Sequence, residues 1–214
     1  MIQFAGFKKT YGHLPIITVP DITLSSGIYW IKGANGSGKS TLLKSMAGMI
    51  HCHGDVLVDC NLSLKKNPVS YRKKVNFAEA EPLFPGFLTG FELINMFVLA
   101  KNGSEAQKNY LIDCFKTRHY LSNTIDSYSS GMLKKLSLIL AFFGSPKVIM
   151  LDEPLITLDA EAVETLYHII QKEYQLNSVT FLLTSHQSLG LKFKSPVKEL
   201  IVEERTLKFS GIDA

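Results

Sequence analysis

Residues 33–41 read Gly-Ala-Asn-Gly-Ser-Gly-Lys-Ser-Thr. This satisfies the pattern G-x-x-x-x-G-K-[ST], whose residue types suit a polyphosphate. Glycines at 33, 36 and 38 let the backbone curl and turn its N–H groups inward toward phosphate oxygens. Lys39 can reach the β- and γ-phosphates, the Ser40 hydroxyl can ligate Mg²⁺, and the helix expected from Thr41 adds its positive N-terminal end. A second constellation is Val148-Ile149-Met150-Leu151-Asp152-Glu153. Its apolar run suits a central strand covered on both faces, which then delivers two carboxylates at its C-terminal end. Asp152 can hold the Mg²⁺ that Ser40 touches, and Glu153 is poised to orient or polarise an attacking water. A third is Tyr128-Ser129-Ser130-Gly131-Met132. Alone it is a capped helix start. Beside the other two it is a second helix N-terminus suited to a γ-phosphate, poorly placed to meet its own chain's loop and therefore suggestive of binding in trans.

Positioning these groups requires a particular order of elements. Ile2, Phe4 and Phe7 mark a first strand, Ile16–Val19 a second, and Ile28–Ile31 the strand into the loop; a helix is expected over 41–50. Val56–Val58 and Val75–Ala78 are further strands. From residue 82 the texture changes. Thr89-Gly90-Phe91-Glu92 is a capping box that opens a helix to about Ala100. Ser104–Phe115 reads as helical, and a third helix follows Ser129-Ser130. Beyond Pro146 strands and helices alternate again: strand Val148–Leu151, a helix capped by Asp159 and running to about Tyr174, strand Val179–Thr184, and a hairpin at 199–209. The expectation is an α/β fold with a mixed, largely parallel sheet, antiparallel strands near the N-terminus and an inserted helical subdomain. The α/β core would comprise 1–81 and 145–214, with 82–144 as the helical part of one domain.

At 214 residues the chain is long enough to bury a full core. A net charge of +4 with no dense Lys/Arg block argues against a nucleic-acid partner. Cys52, Cys60 and Cys114 form no C-x-x-C pair, which suits a reducing compartment. His51-Cys52-His53 lacks a further ligand cluster, so no metal is assigned there. No signal peptide is evident, and the longest strongly apolar run, Leu136–Phe143, is too short to span a bilayer.

Five ordered motifs (G-A-N-G-S-G-K-S-T, Y-S-S-G-M, V-I-M-L-D-E-P, L-D and T-S-H) give the whole chain a resemblance to the nucleotide-binding subunits of the ATP-binding cassette (ABC) family, in its bacterial export-type subset. The resemblance implies a phosphate-loop NTPase core, ATP and Mg²⁺ as cofactors, ATP hydrolysis, and a second ATP-binding subunit, like or unlike, that completes a sandwich of two nucleotides. It also implies a separate integral membrane permease, and hence a cytoplasmic location at the inner face of the cell membrane. Tyr11 matches the position that stacks on adenine. Gly33, Asn35, Gly36, Ser37, Gly38, Lys39, Ser40 and Thr41 match the phosphate loop. Ser129, Ser130 and Gly131 match the signature that closes on the partner's ATP. Asp152 and Glu153 match the magnesium aspartate and catalytic glutamate, Leu158-Asp159 the dimer-coupling loop, and His186 the switch histidine. Thr157 stands where glycine or serine is usual, with little effect expected. Ala80 falls where the family has a glutamine that touches Mg²⁺. Either Glu79 or Glu81 replaces it, Glu79 being taken as the metal ligand, or water completes the shell. The run Leu83–Leu88 is a candidate permease docking site, with lobe core as its alternative role. Alternative functions are a soluble cassette ATPase in assembly or repair, and an ATP-gated dimerisation module with little turnover.

Overall fold

A computed structural model describes residues 1–59, 61–185 and 193–210. In chain order the elements are β1 (Ile2–Tyr11), β2 (Leu14–Thr18), β3 (Thr23–Leu24), β4 (Ile28–Lys32), α1 (Lys39–Met46), β5 (His53–Val58), β6 (Leu62–Ser63), α2 (Pro68–Lys74) and β7 (Val75–Ala78). There follow α3 (Gly90–Lys101), α4 (Glu105–Cys114), α5 (Ser130–Ala141), β8 (Val148–Leu151), α6 (Ala160–Asn177), β9 (Thr180–Thr184), β10 (Val197–Glu203) and β11 (Thr206–Phe209). The strands make one sheet in the order β6-β5-β1-β2-β11-β10-β4-β9-β8-β7, with β3 on β1. Strands β10, β4, β9, β8 and β7 run parallel. The N-terminal strands β1, β2, β3, β5 and β6 pair antiparallel.

The parallel strands are buried on both faces, and successive side chains alternate between two cores. Ile28, Trp30, Ile149, Leu151, Phe181 and Leu183 face a cluster filled by α3–α6. Tyr29, Ile31, Val148, Met150 and Leu182 face the other, which is closed by α1 and the antiparallel strands. This two-sided burial is why the sequence of β8 and β9 is an unbroken apolar run rather than an alternation.

Segment 82–144 is inserted between β7 and β8, which are neighbours in the sheet. Its helices begin at side-chain caps. The Thr89 hydroxyl accepts from Glu92 N while the Glu92 carboxylate accepts from Thr89 N. Ser104, Ser129 and, beyond the segment, Asp159 cap α4, α5 and α6 in the same way. The far end of α5 lies under the sheet, where buried Asn76 donates to the carbonyls of Ala141 and Phe143 at 2.8 and 2.9 Å. Three short elements were not anticipated from the sequence, namely β3, β6 and α2, and the helix expected to reach residue 50 stops at Met46 before Gly48. No helix among the described residues is long and apolar enough to cross a membrane.

Candidate active site

The parallel register sets the C-terminal ends of four strands side by side. Ile31 pairs with Thr184, Leu183 with Leu151, and Leu151 with Ala78. The residues that follow each strand therefore line one edge: Gly33 after β4, Ser185 after β9, Asp152 and Glu153 after β8, Glu79 and Ala80 after β7. This is the edge at which open α/β sheets bind ligands.

The loop from Gly33 to Gly38 is packed so tightly that a Cβ on Gly33 would lie 2.7 Å from both the Ser37 hydroxyl and the Val202 carbonyl. Lys39 is buried and folds back over the loop, donating to the carbonyls of Gly33 and Ala34 at 2.8 and 3.0 Å. Helix α1 starts directly after, with no side-chain cap on its first N–H groups. The Ser37 hydroxyl is buried without a hydrogen-bond partner. A cradle that only glycine fits, uncapped helix amides, an ammonium and an orphaned hydroxyl together fit a phosphate chain. A cleft of about 350 Å³ lined by Leu14, Ile16, Gly36, Ser37 and Arg205 opens beside the loop. Tyr11, at the turn of the β1–β2 hairpin that forms one wall of this region, is 53 % exposed, with the Lys9 ammonium 4.4 Å from its ring centre.

Across the edge, Asp152 is buried, and its Oδ1 accepts from the Thr184 hydroxyl at 2.6 Å. The same hydroxyl oxygen accepts from Glu153 N at 2.8 Å. Thr184 therefore locks the two acidic residues together, a role that the sequence left unassigned because the partners are far apart in the chain. Glu153 adopts φ 44, in the left-handed region that non-glycine residues avoid, and such strain persists where surrounding bonds over-determine it. The Ser40 hydroxyl and Asp152 carboxylate offer the hard oxygens that Mg²⁺ prefers, with water and phosphate oxygens to complete the shell. Bound there, Mg²⁺ supplies positive charge against the β- and γ-phosphate oxygens. The Glu79 carboxylate is engaged elsewhere, 2.7 Å from Lys44 on α1. Glu81 is exposed. Among the described residues no cluster of three or more His, Cys, Asp or Glu side chains is arranged to hold a metal.

Sequence reasoning also missed Lys134. It is the least exposed charged side chain among the described residues, at 1 %, and it donates to the carbonyls of Glu79, Ala80 and Asp152. Burial pushes its ammonium down to about 8, against the pull of Asp152 and Glu153, so it remains charged at neutral pH. Ser129 and Ser130 are exposed at the start of α5. A Cβ on Gly131 would stand 2.9 Å from the Thr157 carbonyl. Thr157 itself has φ 66. A β-branched residue is costly in that conformation. His186 lies outside the described residues, as does Cys60; Cys52 and Cys114 are free thiols.

The sheet edge, its phosphate cradle and the acidic pair define a phosphate-loop nucleotide hydrolase. The sequence model of the family described as ABC transporter matches residues 21–156. A cytochrome c biogenesis ATP-binding export protein of Legionella pneumophila is 31 % identical over 168 residues, covering 78 % of this chain and 82 % of that protein. A lantibiotic transport ATP-binding protein of Streptococcus pyogenes is 24 % identical over 188 residues, with 87 % and 80 % covered. Among solved structures, the ATP-binding subunit of an ABC transporter superposes with a TM-score of 0.84 at 23 % identity, covering 97 % of this chain and 88 % of that one. A dimeric ATP-binding cassette in a post-hydrolysis state with ADP and Pi gives 0.81 at 18 % identity, with both chains fully covered at 100 %. The chain belongs to the ABC transporter family. It is an ATP-binding, ATP-hydrolysing subunit of that family.

Proposed function

We propose that this subunit forms one half of an ATP-sandwich dimer and drives a separate membrane permease in the direction of export. The observation that carries the proposal is the exposed start of α5. Ser129 and Ser130 are exposed, and Gly131 packs on Thr157 of its own chain. Among the described residues, no hydrogen bond joins Ser129–Gly131 to the loop at Gly33–Thr41. A second subunit facing head to tail supplies what each loop lacks, a helix N-terminus on the open side of the γ-phosphate.

In this arrangement Tyr11 stacks on adenine and Gly33–Thr41 wrap the phosphates. Lys39 neutralises charge on the β- and γ-oxygens. Ser40 and Asp152 hold Mg²⁺; Glu79 joins them only by giving up Lys44. Glu153 orients the attacking water, and His186 contacts the γ-phosphate. Preorganised charge of this kind is usually the largest catalytic contribution. The permease is proposed to dock at an apolar groove of about 390 Å³ lined by Met49, Pro82, Leu83, Phe84 and Phe97. On this reading the subunit lies at the cytoplasmic face of the membrane. The relatives named for export and lantibiotic transport support this direction.

The test is to measure ATP hydrolysis and solution mass for the wild type beside Glu153→Gln. The wild type is expected to turn over. The variant is expected to lose at least ~100-fold in kcat, in keeping with removal of a general base, and to shift from monomer to dimer when ATP is added. Equal rates for the two chains remove Glu153 from the chemistry. A variant that stays monomeric in ATP defeats the sandwich.

A further inference from the structure

We infer that Lys134 is a positioning residue for hydrolysis: its buried ammonium fastens α5, the helix that begins with Ser129–Gly131, to the strand ends that carry the catalytic carboxylates. The inference rests on the roles proposed for Glu153 and for Ser129–Gly131.

Lys134 lies one helical turn inside α5. A lysine ammonium has three N–H donors, and each finds a backbone acceptor: Glu79 O at 2.9 Å, Ala80 O at 3.0 Å and Asp152 O at 3.0 Å. The acceptors belong to the segments leaving β7 and β8, where the last backbone bond between the two strands is Asp152 N to Ala78 O at 2.9 Å. A lysine placed only to fill space would be an expensive choice, because an apolar side chain of similar volume packs as well without the desolvation cost. A saturated ammonium spanning three segments does something an apolar group cannot: it fixes their relative positions.

Two further ties make α5 and this edge one unit. The Lys135 ammonium is 2.6 Å from the Asp159 carboxylate, and Gly131 abuts the Thr157 carbonyl. The loop after β8 is therefore held at Asp152 from below and at Thr157–Asp159 from the side, with Glu153 between the two anchors. Among the described residues, the side chains at 79 and 80 make no hydrogen bond or ion pair to α5 or to the loop after β8. Residue 80 is alanine, and the Glu79 carboxylate is turned to Lys44. What the helical segment contributes at this point is the Lys134 bond set. A displacement of α5 on dimer closure is thereby passed to the backbone of Asp152 and Glu153.

The test compares Lys134→Met, which keeps the apolar stem and loses all donors, with Lys134→Gln, which has the same reach as methionine, one atom short of lysine, and keeps two donors. Without nucleotide, amide exchange at 79–81 and 152–156 is expected to accelerate at least ~10-fold in Lys134→Met, while the centre of β9 stays as slow as in the wild type. With ATP, kcat is expected to fall at least ~10-fold while KM stays within about 2-fold, since the phosphate loop is untouched. Lys134→Gln is expected to recover most of the loss. Should the Met chain fail to fold, the Gln chain decides. A kcat about 2- to 5-fold below wild type at unchanged KM supports the inference, and an unchanged kcat overturns it. The inference is also overturned if exchange at both segments is unaltered, if Met and Gln lose activity equally, or if β9 loosens along with the edge, which is the mark of a merely structural lysine. If the wild type itself does not hydrolyse ATP, the proposed catalytic roles fail, and the exchange measurement alone decides for or against the Lys134 link.

Discussion

Thr157 shows how much one side chain can carry against the grain of its backbone. At φ 66 its branched Cβ crowds the adjoining carbonyls, a conformation that asparagine tolerates and threonine resists. The position is held from outside, with Gly131 pressed on its carbonyl and Asp159 tied to Lys135 two residues on. Thr157→Asn is expected to stabilise the folded chain by about 1 kcal/mol, a typical cost of a non-glycine residue in this region. For a chain of this length that raises the melting temperature by ~2–4 °C. Thermal unfolding followed by circular dichroism checks it, and an unchanged or lower midpoint removes strain from the account. The residues most legible in the sequence were those whose partners are adjacent in the chain, such as the phosphate loop and the Asp152-Glu153 pair. Thr184 and Lys134 were not legible. The former meets residues 31 and 32 positions away, the latter residues 18 to 55 positions away, and only the strand order brings them together.

At the scale of elements the helix starts were the most readable feature. Thr89, Ser104, Ser129 and Asp159 each place an oxygen where an orphan N–H needs one, and each begins a helix. The ends and the short pieces were less readable. Helix α2 opens on Pro68 and has seven residues, about two turns, and β3 and β6 have two residues each, lengths at which periodicity carries no signal. The cap of α3 gives a pH dependence with a definite sign. The Thr89 backbone N–H and hydroxyl both donate to the Glu92 carboxylate and hold it below its usual value of 4.5. A carboxyl depressed in the folded state contributes stability that is complete above 4.5 and is lost as pH falls through the folded value. Glu92→Ala is therefore expected to be less stable than the wild type at pH 7, with the gap narrowing as pH drops below 4.5. Urea midpoints at pH 7 and pH 3.5 measure it. A gap that widens in acid contradicts the capping assignment.

The molecule as a whole is organised around a single sheet whose one face shares a core with the inserted helices. Ile149, Leu151 and Phe181 of the sheet lie in the same cluster as Leu93 of α3, Ile112 of α4 and Leu138 of α5. The helices are thus packed directly against the strands whose ends carry the catalytic edge. An apolar groove lined by Met49, Pro82, Leu83, Phe84 and Phe97 opens between the sheet side and these helices, and the run 83–88 at its border divides by burial. Phe84 and Leu88 turn inward onto the shared core, whereas Leu83 and Phe87 remain 93 % and 80 % exposed. The sequence marked 83–88 as docking surface or lobe core, and along it exposed and half-buried residues alternate. Side chains so exposed add almost nothing to folding, so substitutions there are usually within about 0.5 kcal/mol of neutral. They are the side chains a partner would bury, at about 1.5–3 kcal/mol for each large apolar group. Leu83→Asp with Phe87→Asp is accordingly expected to leave the melting temperature and the ATPase rate of the isolated subunit unchanged. Capture of a polytopic membrane partner from detergent-solubilised native membranes is expected to fall at least ~10-fold, the loss that follows from removing one buried anchor. If the double variant still recovers the same membrane partner in full, the permease docks elsewhere. If the ATPase of the isolated subunit falls with it, these side chains serve the fold rather than the partner.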